Sequence, residues 1–502
     1  MTTAVQDVRL VPMMINGAEA LSRSGRALDI LNPATGRVAA RVAAADADDI
    51  DGAVRCAQDA FASWSRTSVS ERAKTLHRIA DAVTEAVPRL AALESECNGR
   101  PISEMRAQLG IVGELFRYNA ALALAQRGET VDIGPDHLCY LERVPLGVCG
   151  VITPFNHPLT IMARSVAPAL AAGNTVVVKP SELTPLTALE FARIAKQAGL
   201  PDGALNVVVG LGAEAGAALA NHPLVAKLDF TGGEGAGRAI SVAGASRFIE
   251  VTTELGGKSP VIVFDDAGLE RAVNGIAFAG FVATGQTCVA GTRLLIQDGI
   301  YDRFVDALSQ KAESIRIGDP FDPSTQLGPL VSDRQRQRAE DYVALGLAEG
   351  ARIATGGRRP DLPPPFDGGF YFQPTILANV RNDMRVAQEE IFGPVLVAIP
   401  FSDEEDAIAK ANDIPFGLGS AVWTRDIARA HRVARRIEAG LTWINDHHRL
   451  GPALPWGGMK ASGHGKQSGR EAFETFSEIK STLVRIAPHD TDWFGGATQR
   501  LN

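Results

Sequence analysis

One cysteine of this chain lies among small residues that a substrate could approach closely. Cys288 is the central residue of the segment Gly285–Gly291, which reads GQTCVAG. A cysteine thiolate is a strong nucleophile, but a free thiol has a pKa of about 8.5, so this role requires local activation. Taken by itself, the segment is also compatible with a buried structural thiol.

Two further segments carry groups that suit acid–base and oxyanion chemistry. Glu254 follows a predicted strand and precedes Gly256 and Gly257, so it could act as a general base with room for water beside it. Asn156 stands where a strand breaks and a helix begins, and its amide could donate to a developing oxyanion. The alternatives are a surface turn for Glu254 and a helix cap for Asn156.

Two other segments fit the parts of a dinucleotide. Lys179–Glu182 ends a predicted strand, where ligands bind in parallel sheets, and its lysine and glutamate suit ribose hydroxyls. Phe230–Gly237 ends a later strand and opens a helix, and a glycine-rich turn there suits a pyrophosphate. Neither is the G-x-G-x-x-G fingerprint in its usual place after the first strand, so each alone also fits a generic glycine loop.

The elements that position these residues alternate between strand and helix. Short apolar runs predict strands at 148–152, 175–178, 205–209 and 227–230, and amphipathic segments predict helices at 159–172, 184–199 and 213–220. This rhythm predicts a largely parallel sheet covered on both faces. A second series has strands at 261–264, 294–296 and 395–397, with an exposed loop at 358–365.

Two segments, 137–144 and 477–486, alternate like strands but fit neither series. Such outlying strands often pair across subunits, and an ordinary edge strand is the alternative. Both interpretations remain open from the residues alone.

Length and composition limit the classes of protein. A chain of 502 residues exceeds the roughly 250–300 residues of a single core, so two or three domains are expected. The net charge of −8 argues against nucleic acid as the main partner. The five scattered cysteines lack metal-ligand spacing and indicate a reducing compartment. Without a signal peptide pattern or a membrane-spanning apolar run, the expected location is the cytoplasm.

In combination, and in this order, these segments resemble the aldehyde dehydrogenase superfamily, in its non-acylating, NAD(P)-dependent form. The resemblance runs across almost the whole chain. It is carried by Pro154–Pro158, Lys179–Glu182, Phe230–Gly232, Glu254–Pro260, Gly285–Gly291, Glu389–Pro394, Pro415–Leu418 and Pro455–Gly463.

The resemblance implies an α/β fold with three parts. These are a Rossmann-like NAD-binding domain (1–123 and 146–256), an α/β catalytic domain (257–473) and a small β oligomerisation segment (124–145 and 474–502). The last part would account for the two outlying strands. It implies a homodimer or homotetramer, in which one subunit's segment extends the sheet of another.

The resemblance also implies a mechanism. Cys288 is the nucleophile that attacks the aldehyde carbon, and the oxyanion accepts hydrogen bonds from the Asn156 side chain and the Cys288 amide. Hydride transfer to the nicotinamide leaves a thioester, which water activated by Glu254 hydrolyses to the carboxylic acid. NAD is expected as the cofactor and NADP is disfavoured, because the Glu182 carboxylate would accept ribose hydroxyls but repel a 2′-phosphate.

The resemblance assigns each cofactor contact of the family to one residue of this chain. They are Thr153, Pro154, Phe155, Lys179, Ser181, Glu182, Gly212, Gly216, Phe230, Thr231, Gly232, Gly233, Leu255, Glu390 and Phe392. Two departures weaken the transfer. Gly233, followed by Glu234, replaces a serine that many members have. Ser165 replaces a lysine, and the adjacent Arg164 is expected to face elsewhere, since helical neighbours differ by about 100°.

The substrate is the least determined feature. The implied pocket consists of Phe155, Phe281, Val282, Thr287, Arg449, Leu450 and Trp456. Phe155 and Trp456 suggest an apolar or aromatic wall. Arg449 and the histidines at 447 and 448 could recognise a carboxylate on a semialdehyde; the favoured alternative is that they bond to backbone or pair with Asp446. A metal site is not expected, because adjacent histidines rarely converge on one ion.

Three competing functions remain. In a CoA-acylating semialdehyde dehydrogenase the thioester would pass to CoA, and Glu254 argues against this because it suits hydrolysis. A non-catalytic binding or structural member would be free to lose Cys288, Glu254 or Asn156, and all three are present. A cysteine hydrolase would need a histidine partner in a recognisable motif, which the sequence lacks.

Overall fold

The computed structural model describes residues 10–487 and Phe494. The predicted domain parts at residues 1–9 and at most of 488–502 lie outside this range. The helices are α1 Ala47–Trp64, α2 Val69–Asn98, α3 Ile102–Ala125, α4 Pro158–Ala172, α5 Leu186–Gln197, α6 Ala217–Asn221, α7 Glu234–Ala245, α8 Leu269–Phe281, α9 Tyr301–Glu313, α10 Asp333–Ala348, α11 Arg385–Gln388, α12 Glu404–Asn412, α13 Ile427–Ala434 and α14 Gly469–Thr475.

The strands belong to two large sheets and three smaller ones. They are β1 Leu10–Val11, β2 Met13–Ile15, β3 Ala18–Ala20, β4 Ala27–Asn32, β5 Arg37–Ala43, β6 Glu129–Val131, β7 His137–Pro145, β8 Val148–Ile152, β9 Thr175–Lys179, β10 Leu205–Val207, β11 Val225–Thr231, β12 Glu250–Glu254, β13 Pro260–Val263, β14 Arg293–Gln297, β15 Arg352–Thr355, β16 Thr375–Ala378, β17 Val395–Phe401, β18 Phe416–Gly417, β19 Gly419–Trp423, β20 Leu441–Ile444, β21 Met459–Lys460, β22 Gly463–His464 and β23 Ser477–Arg485.

The first large sheet has the order β22-β12-β11-β8-β9-β10-β2-β3, and the strands from β12 to β10 run parallel. Strands β8 and β9 are buried along their whole length because apolar helices cover both faces. The chain order reverses at β8, with β9 on one side and β11 on the other. In sheets of this kind ligands bind beyond the carboxyl ends of the strands at such a reversal.

The second large sheet has the order β15-β16-β17-β14-β13-β19-β20 and is parallel except at β15. Separate apolar clusters cover its two faces. The predicted α/β fold is therefore confirmed. The domain boundaries stay a prediction; the one at 256/257 falls between β12 of the first sheet and β13 of the second.

The two outlying segments pair with each other within this chain. β7 and β23 are antiparallel along nine residues, and β6 adds a third strand. Their surfaces leave Leu138, Tyr140, Ile479 and Leu483 exposed. Among the described residues, no helix is both long and apolar enough to cross a membrane.

The predicted element bounds differ from the observed ones by a few residues. The helix predicted from Thr184 begins at Leu186, because Thr184 precedes Pro185 and a residue before proline avoids helical backbone. The strand predicted at 205–209 ends at Val207. The loop at 358–365 lies on the surface, as predicted.

Candidate active site

The turn that leads to Cys288 has an unusual backbone. It follows α8, and residues 283–285 all adopt positive φ angles of 55°, 55° and 70°. Thr284 holds the turn in place because its hydroxyl donates to the Gly328 carbonyl over 3.1 Å. The turn fixes where the thiol lies.

The segment after β12 passes so close to Cys288 that only glycine fits. A Cβ atom on Gly257 would lie 2.5 Å from the Cys288 carbonyl oxygen. The amide of Gly257 donates to Glu390 Oε1 over 2.9 Å, and Gly256 lies against the same carboxylate. This approach joins the two large sheets at the point where Glu254 ends β12.

The Glu254 carboxyl is buried, with 2% of its surface exposed. Neither carboxylate oxygen bonds to a residue that the structure describes. Burial raises the pKa of Glu254 well above its usual range and the charge of Asp229 adds to this, while Lys466 and Arg164 oppose it. A raised pKa makes the carboxylate a stronger base toward a water proton.

Asp229 lies on the same sheet face as Glu254. In the parallel pairing of β11 with β12, Asp229 is opposite Thr252 and Thr231 is opposite Glu254, so these side chains share one face. Asp229 Oδ1 accepts from Ser165 Oγ over 2.8 Å and from Gln467 Nε2 over 2.7 Å. Burial raises the pKa of Asp229 as well.

The Asn156 side chain is 3% exposed and makes no hydrogen bond to any described residue. The first residue before α4 is His157, and that helix start has no side-chain cap. Asn156 is therefore not the helix cap considered from the sequence. Its loop is held through the backbone, since Asn98 Nδ2 donates to the Phe155 carbonyl over 2.5 Å.

The Cys288 thiol lies in a charged environment. Burial raises the pKa of the thiol to about 12, Arg164 lowers it, and Glu254 and Glu390 raise it. Arg164 is therefore the charged side chain that favours the thiolate.

Arg164 faces away from Ser165, as helical spacing predicts, and this direction brings it to the catalytic groups. Its guanidinium lies 4.4 Å from the centre of the Trp456 ring. Ser165 points instead toward Asp229. The sequence analysis missed this role of Arg164, although one charged residue in an otherwise buried helix was a visible signal.

A cavity of about 1150 Å³ collects most predicted catalytic and cofactor residues. They are Pro154, Phe155, Asn156, Thr231, Gly232, Gly233, Glu254, Leu255, Cys288, Glu390 and Phe392. The Phe155 and Phe392 rings meet edge to face with centroids 5.6 Å apart. Arg338, which the sequence did not reveal, also lines the cavity and donates to the Ile391 carbonyl over 3.0 Å.

The other predicted cofactor residues lie outside this lining. They are Thr153, Lys179, Ser181, Glu182, Gly212, Gly216 and Phe230. Several form their own group at the carboxyl ends of β8 and β9. Lys179 Nζ lies 3.0 Å from Glu182 Oε2, the Thr153 amide donates to the Lys179 carbonyl, and Gly216 lies beside the lysine side chain.

The glycine-rich turn that the sequence predicts to bind a pyrophosphate, residues 230–237, has a defined charge arrangement. Gly233 precedes α7, whose amino-terminal end has no side-chain cap. Glu234 pairs with Arg238 over 2.8 Å. The carboxylate that seemed unfavourable for a phosphate in the sequence thus has a cationic partner.

Lys258 is a further buried group that the sequence analysis did not single out. Its ammonium has no hydrogen-bond partner among the described residues. Burial lowers the pKa of Lys258 to about 7 and raises that of Glu390 to about 7. Each charge opposes the effect of burial on the other, so the two groups favour each other's charged forms.

The predicted substrate residues divide into two sets. Phe281, Thr287 and Trp456 are buried, and Phe281 and Trp456 belong to the apolar cluster against which Cys288 packs. Val282 begins the turn before Cys288. Phe155 lines the large cavity.

Arg449 and Leu450 lie at the surface, and their assignment to the substrate pocket stays a prediction. The Arg449 side chain is 85% exposed and pairs with Asp446 over 3.4 Å, and Leu450 is exposed. Residues 447 and 448 direct their ring nitrogens to the carbonyls of Val289 and Ala279. These are the backbone and Asp446 contacts weighed as the alternative. No cluster able to hold a metal ion occurs in the described part of the chain.

Comparison with known proteins identifies close similarity along the whole chain. The model of the aldehyde dehydrogenase family matches residues 21–482. A betaine aldehyde dehydrogenase of Bacillus subtilis is 41% identical, covering 96% of this chain and 99% of that protein. The crystal structure of betaine aldehyde dehydrogenase from Staphylococcus aureus with NAD+ has a TM-score of 0.94 at 38% identity, covering 97% of this chain and 96% of that one. The NAD+ complex of an aldehyde dehydrogenase from Bacillus cereus has a TM-score of 0.93 at 39% identity, covering 95% and 97%.

The charges around Cys288 predict how readily the thiol is alkylated. Glu254→Gln removes a charge that raises the thiol pKa, so the pH midpoint of iodoacetamide alkylation should fall by about one unit. Arg164→Gln should raise it by a similar amount. Mass spectrometry of the Cys288 peptide measures the midpoint, with the Cys56 peptide as an internal control. Unchanged midpoints in both variants would contradict this account of the thiol.

Proposed function

This chain belongs to the aldehyde dehydrogenase family, and from that membership we propose that Cys288, Glu254 and Asn156 are its catalytic residues. The enzyme is an NAD-dependent oxidoreductase that converts an aldehyde into a carboxylic acid. The observation that carries the residue assignment is that all three line one cavity together with the glycine-rich turn before α7.

The proposed reaction begins with the Cys288 thiolate. Its sulfur forms a bond to the aldehyde carbon, and the carbonyl oxygen becomes an oxyanion that accepts hydrogen bonds from the Asn156 amide and the Cys288 backbone N–H. NAD, when bound, accepts the hydride that leaves this carbon. The carbon then remains on Cys288 as a thioester.

Glu254 completes the reaction by hydrolysis. Its carboxylate takes a proton from water while the water oxygen attacks the thioester carbon, and the carbon–sulfur bond breaks to release the acid and the thiolate. The raised pKa of Glu254 suits a base that must accept a proton near neutral pH. Transfer to CoA is the competing fate, and it would need no base at this position.

The hydrolytic assignment predicts a burst of NADH from Glu254→Gln. This variant should form the thioester once per active site and then turn over about 10²–10⁴-fold more slowly than the native enzyme. Stopped-flow absorbance measures the burst, and Cys288→Ala is the control that should give neither burst nor turnover. Restoration of full turnover by CoA, with release of an acyl-CoA, would contradict hydrolysis.

The arrangement of Lys179 and Glu182 supports the preference for NAD. The Glu182 side chain is partly exposed beside the buried Lys179, so its carboxylate can meet ribose hydroxyls. A 2′-phosphate at the same place would meet this negative charge.

Glu182→Gln should therefore improve the use of NADP. We expect kcat/KM for NADP relative to NAD to rise about tenfold, since one unfavourable charge contact is removed. Steady-state rates with each cofactor give the ratio, and Glu234→Gln is a matched control because that carboxylate pairs with Arg238. Native enzyme that used NADP as efficiently as NAD would refute the assignment.

The sheet formed by β6, β7 and β23 supports assembly into a homodimer or homotetramer. A three-stranded sheet with exposed apolar residues such as Ile479 and Leu483 is a surface that proteins tend to cover. A second copy of this chain is the proposed partner, through extension of a sheet edge.

Ile479→Lys combined with Leu483→Lys should therefore lower the molar mass measured by light scattering toward that of one chain. The matched control is Leu347→Lys, which changes a similarly exposed residue on α10. A native protein that is monomeric at micromolar concentration would disprove the assembly.

The compartment proposed from the sequence is the cytoplasm. All five cysteines are free thiols, which fits a reducing environment.

A further inference from the structure

We propose that Arg164 binds an anionic group of the substrate, so that the aldehyde is a carboxylated one such as a semialdehyde. This inference rests on the proposed function, because it places the anion beside the Cys288 nucleophile. It differs from the sequence-based suggestion, in which Arg449 would have met the carboxylate.

The first observation is that Arg164 lacks an anionic partner of its own. Every other residue of α4 is buried, and Arg164 is only partly exposed. Within the described residues it forms no ion pair and no hydrogen bond, and its one defined contact is the face of Trp456. Partial removal of a guanidinium from water costs desolvation free energy unless an anion pairs with it.

The neighbouring cations do have partners. Arg100 pairs with Glu104, and Arg449 pairs with Asp446. Lys466 donates to the carbonyls of Gly457 and Gly458 over 2.9 and 3.2 Å. Among these neighbours, Arg164 is the one whose donor groups have no partner in the described part of the chain.

The second observation is a buried hydroxyl on the same helix face. Thr160 stands four residues before Arg164, one helical turn away, and residues at this spacing are neighbours on the surface of a helix. Its Oγ1 is buried and has no hydrogen-bond partner among the described residues. A hydroxyl one helical turn from a guanidinium provides a second donor that a carboxylate oxygen could accept.

The Arg164 guanidinium itself would attract an anionic group of the substrate and repel a cationic one. Burial lowers the pKa of Arg164, while Cys288 and Glu254 raise it, so the guanidinium interacts electrostatically with the two catalytic groups. A trimethylammonium aldehyde such as betaine aldehyde, which the names of two relatives mention, would meet a like charge.

Arg164 has a competing role in which it only favours the Cys288 thiolate. The two roles differ in what they do to substrate preference. Loss of thiolate stabilisation lowers kcat/KM equally for every aldehyde, whereas loss of an anion contact lowers it for carboxylated aldehydes alone.

The experiment compares matched aldehydes with and without a carboxylate. The pairs are succinic semialdehyde with butanal and 4-formylbenzoate with 4-methylbenzaldehyde, and betaine aldehyde is the cationic probe. Native enzyme should prefer the carboxylated member of at least one pair and should use betaine aldehyde least. Arg164→Met should reduce that preference about 10- to 100-fold, the effect of one charged hydrogen bond, and Arg164→Lys should restore part of it.

Two outcomes would overturn the proposal: native enzyme that prefers the neutral aldehyde of both pairs, or Arg164→Met that lowers kcat/KM equally for both members. Either can occur while NADH is produced, so the proposed function would survive.

Protection of Cys288 from alkylation provides a readout that needs no turnover. Succinate should slow alkylation of Cys288 in native protein and not in Arg164→Met. Thermal stabilisation by NAD would show that the variant is folded. Equal protection of Cys288 in both proteins would also overturn the proposal.

Discussion

The catalytic arrangement depends on one close approach of two backbones. Gly257, just beyond β12, lies against the Cys288 carbonyl with no space for a side chain. Ser462 secures the same crossing, because its hydroxyl donates to the Gly256 carbonyl over 2.7 Å and accepts from the Gly417 amide over 3.0 Å. Two sheets with separate apolar cores meet at this crossing. Glu254 and Cys288 are near each other for this reason, although 34 positions separate them in the numbering.

Burial determines the chemistry of the groups that meet there. Desolvation is the largest influence on Cys288, Glu254, Asp229 and Arg164 alike, and it opposes the charged form of each. The charges of Arg164 and Lys466 oppose this effect on Glu254, and that of Arg164 opposes it on Cys288. An incoming carboxylate would alter that balance most strongly at Arg164.

The sequence predicted correctly those features that depend on one contiguous segment of the chain. The strands β8, β9, β13 and β14 and the segments containing Asn156, Glu254 and Cys288 could be located from it, because apolar runs and glycine positions are local properties. Which side chains meet across elements is not local. Arg164 and Asp229 lie on different elements, and neither has a partner identifiable by spacing. The contact of Arg449 with Asp446 could not be deduced with certainty either, because its loop gives no periodicity from which an orientation follows.

The left-handed turn before Cys288 has a consequence for the balance between stability and turnover. Ala283 and Thr284 are not glycines, so their positive φ angles cost conformational energy that the surrounding fold must offset. Contacts from distant segments supply part of this, including the Gln286 side-chain oxygen Oε1, which accepts from the Val331 amide over 3.1 Å. Selection for thermal tolerance alone would favour glycine at these two positions. Cys288, the proposed nucleophile, would then lie on a more flexible turn, so a more stable protein would be obtained at the expense of a slower enzyme.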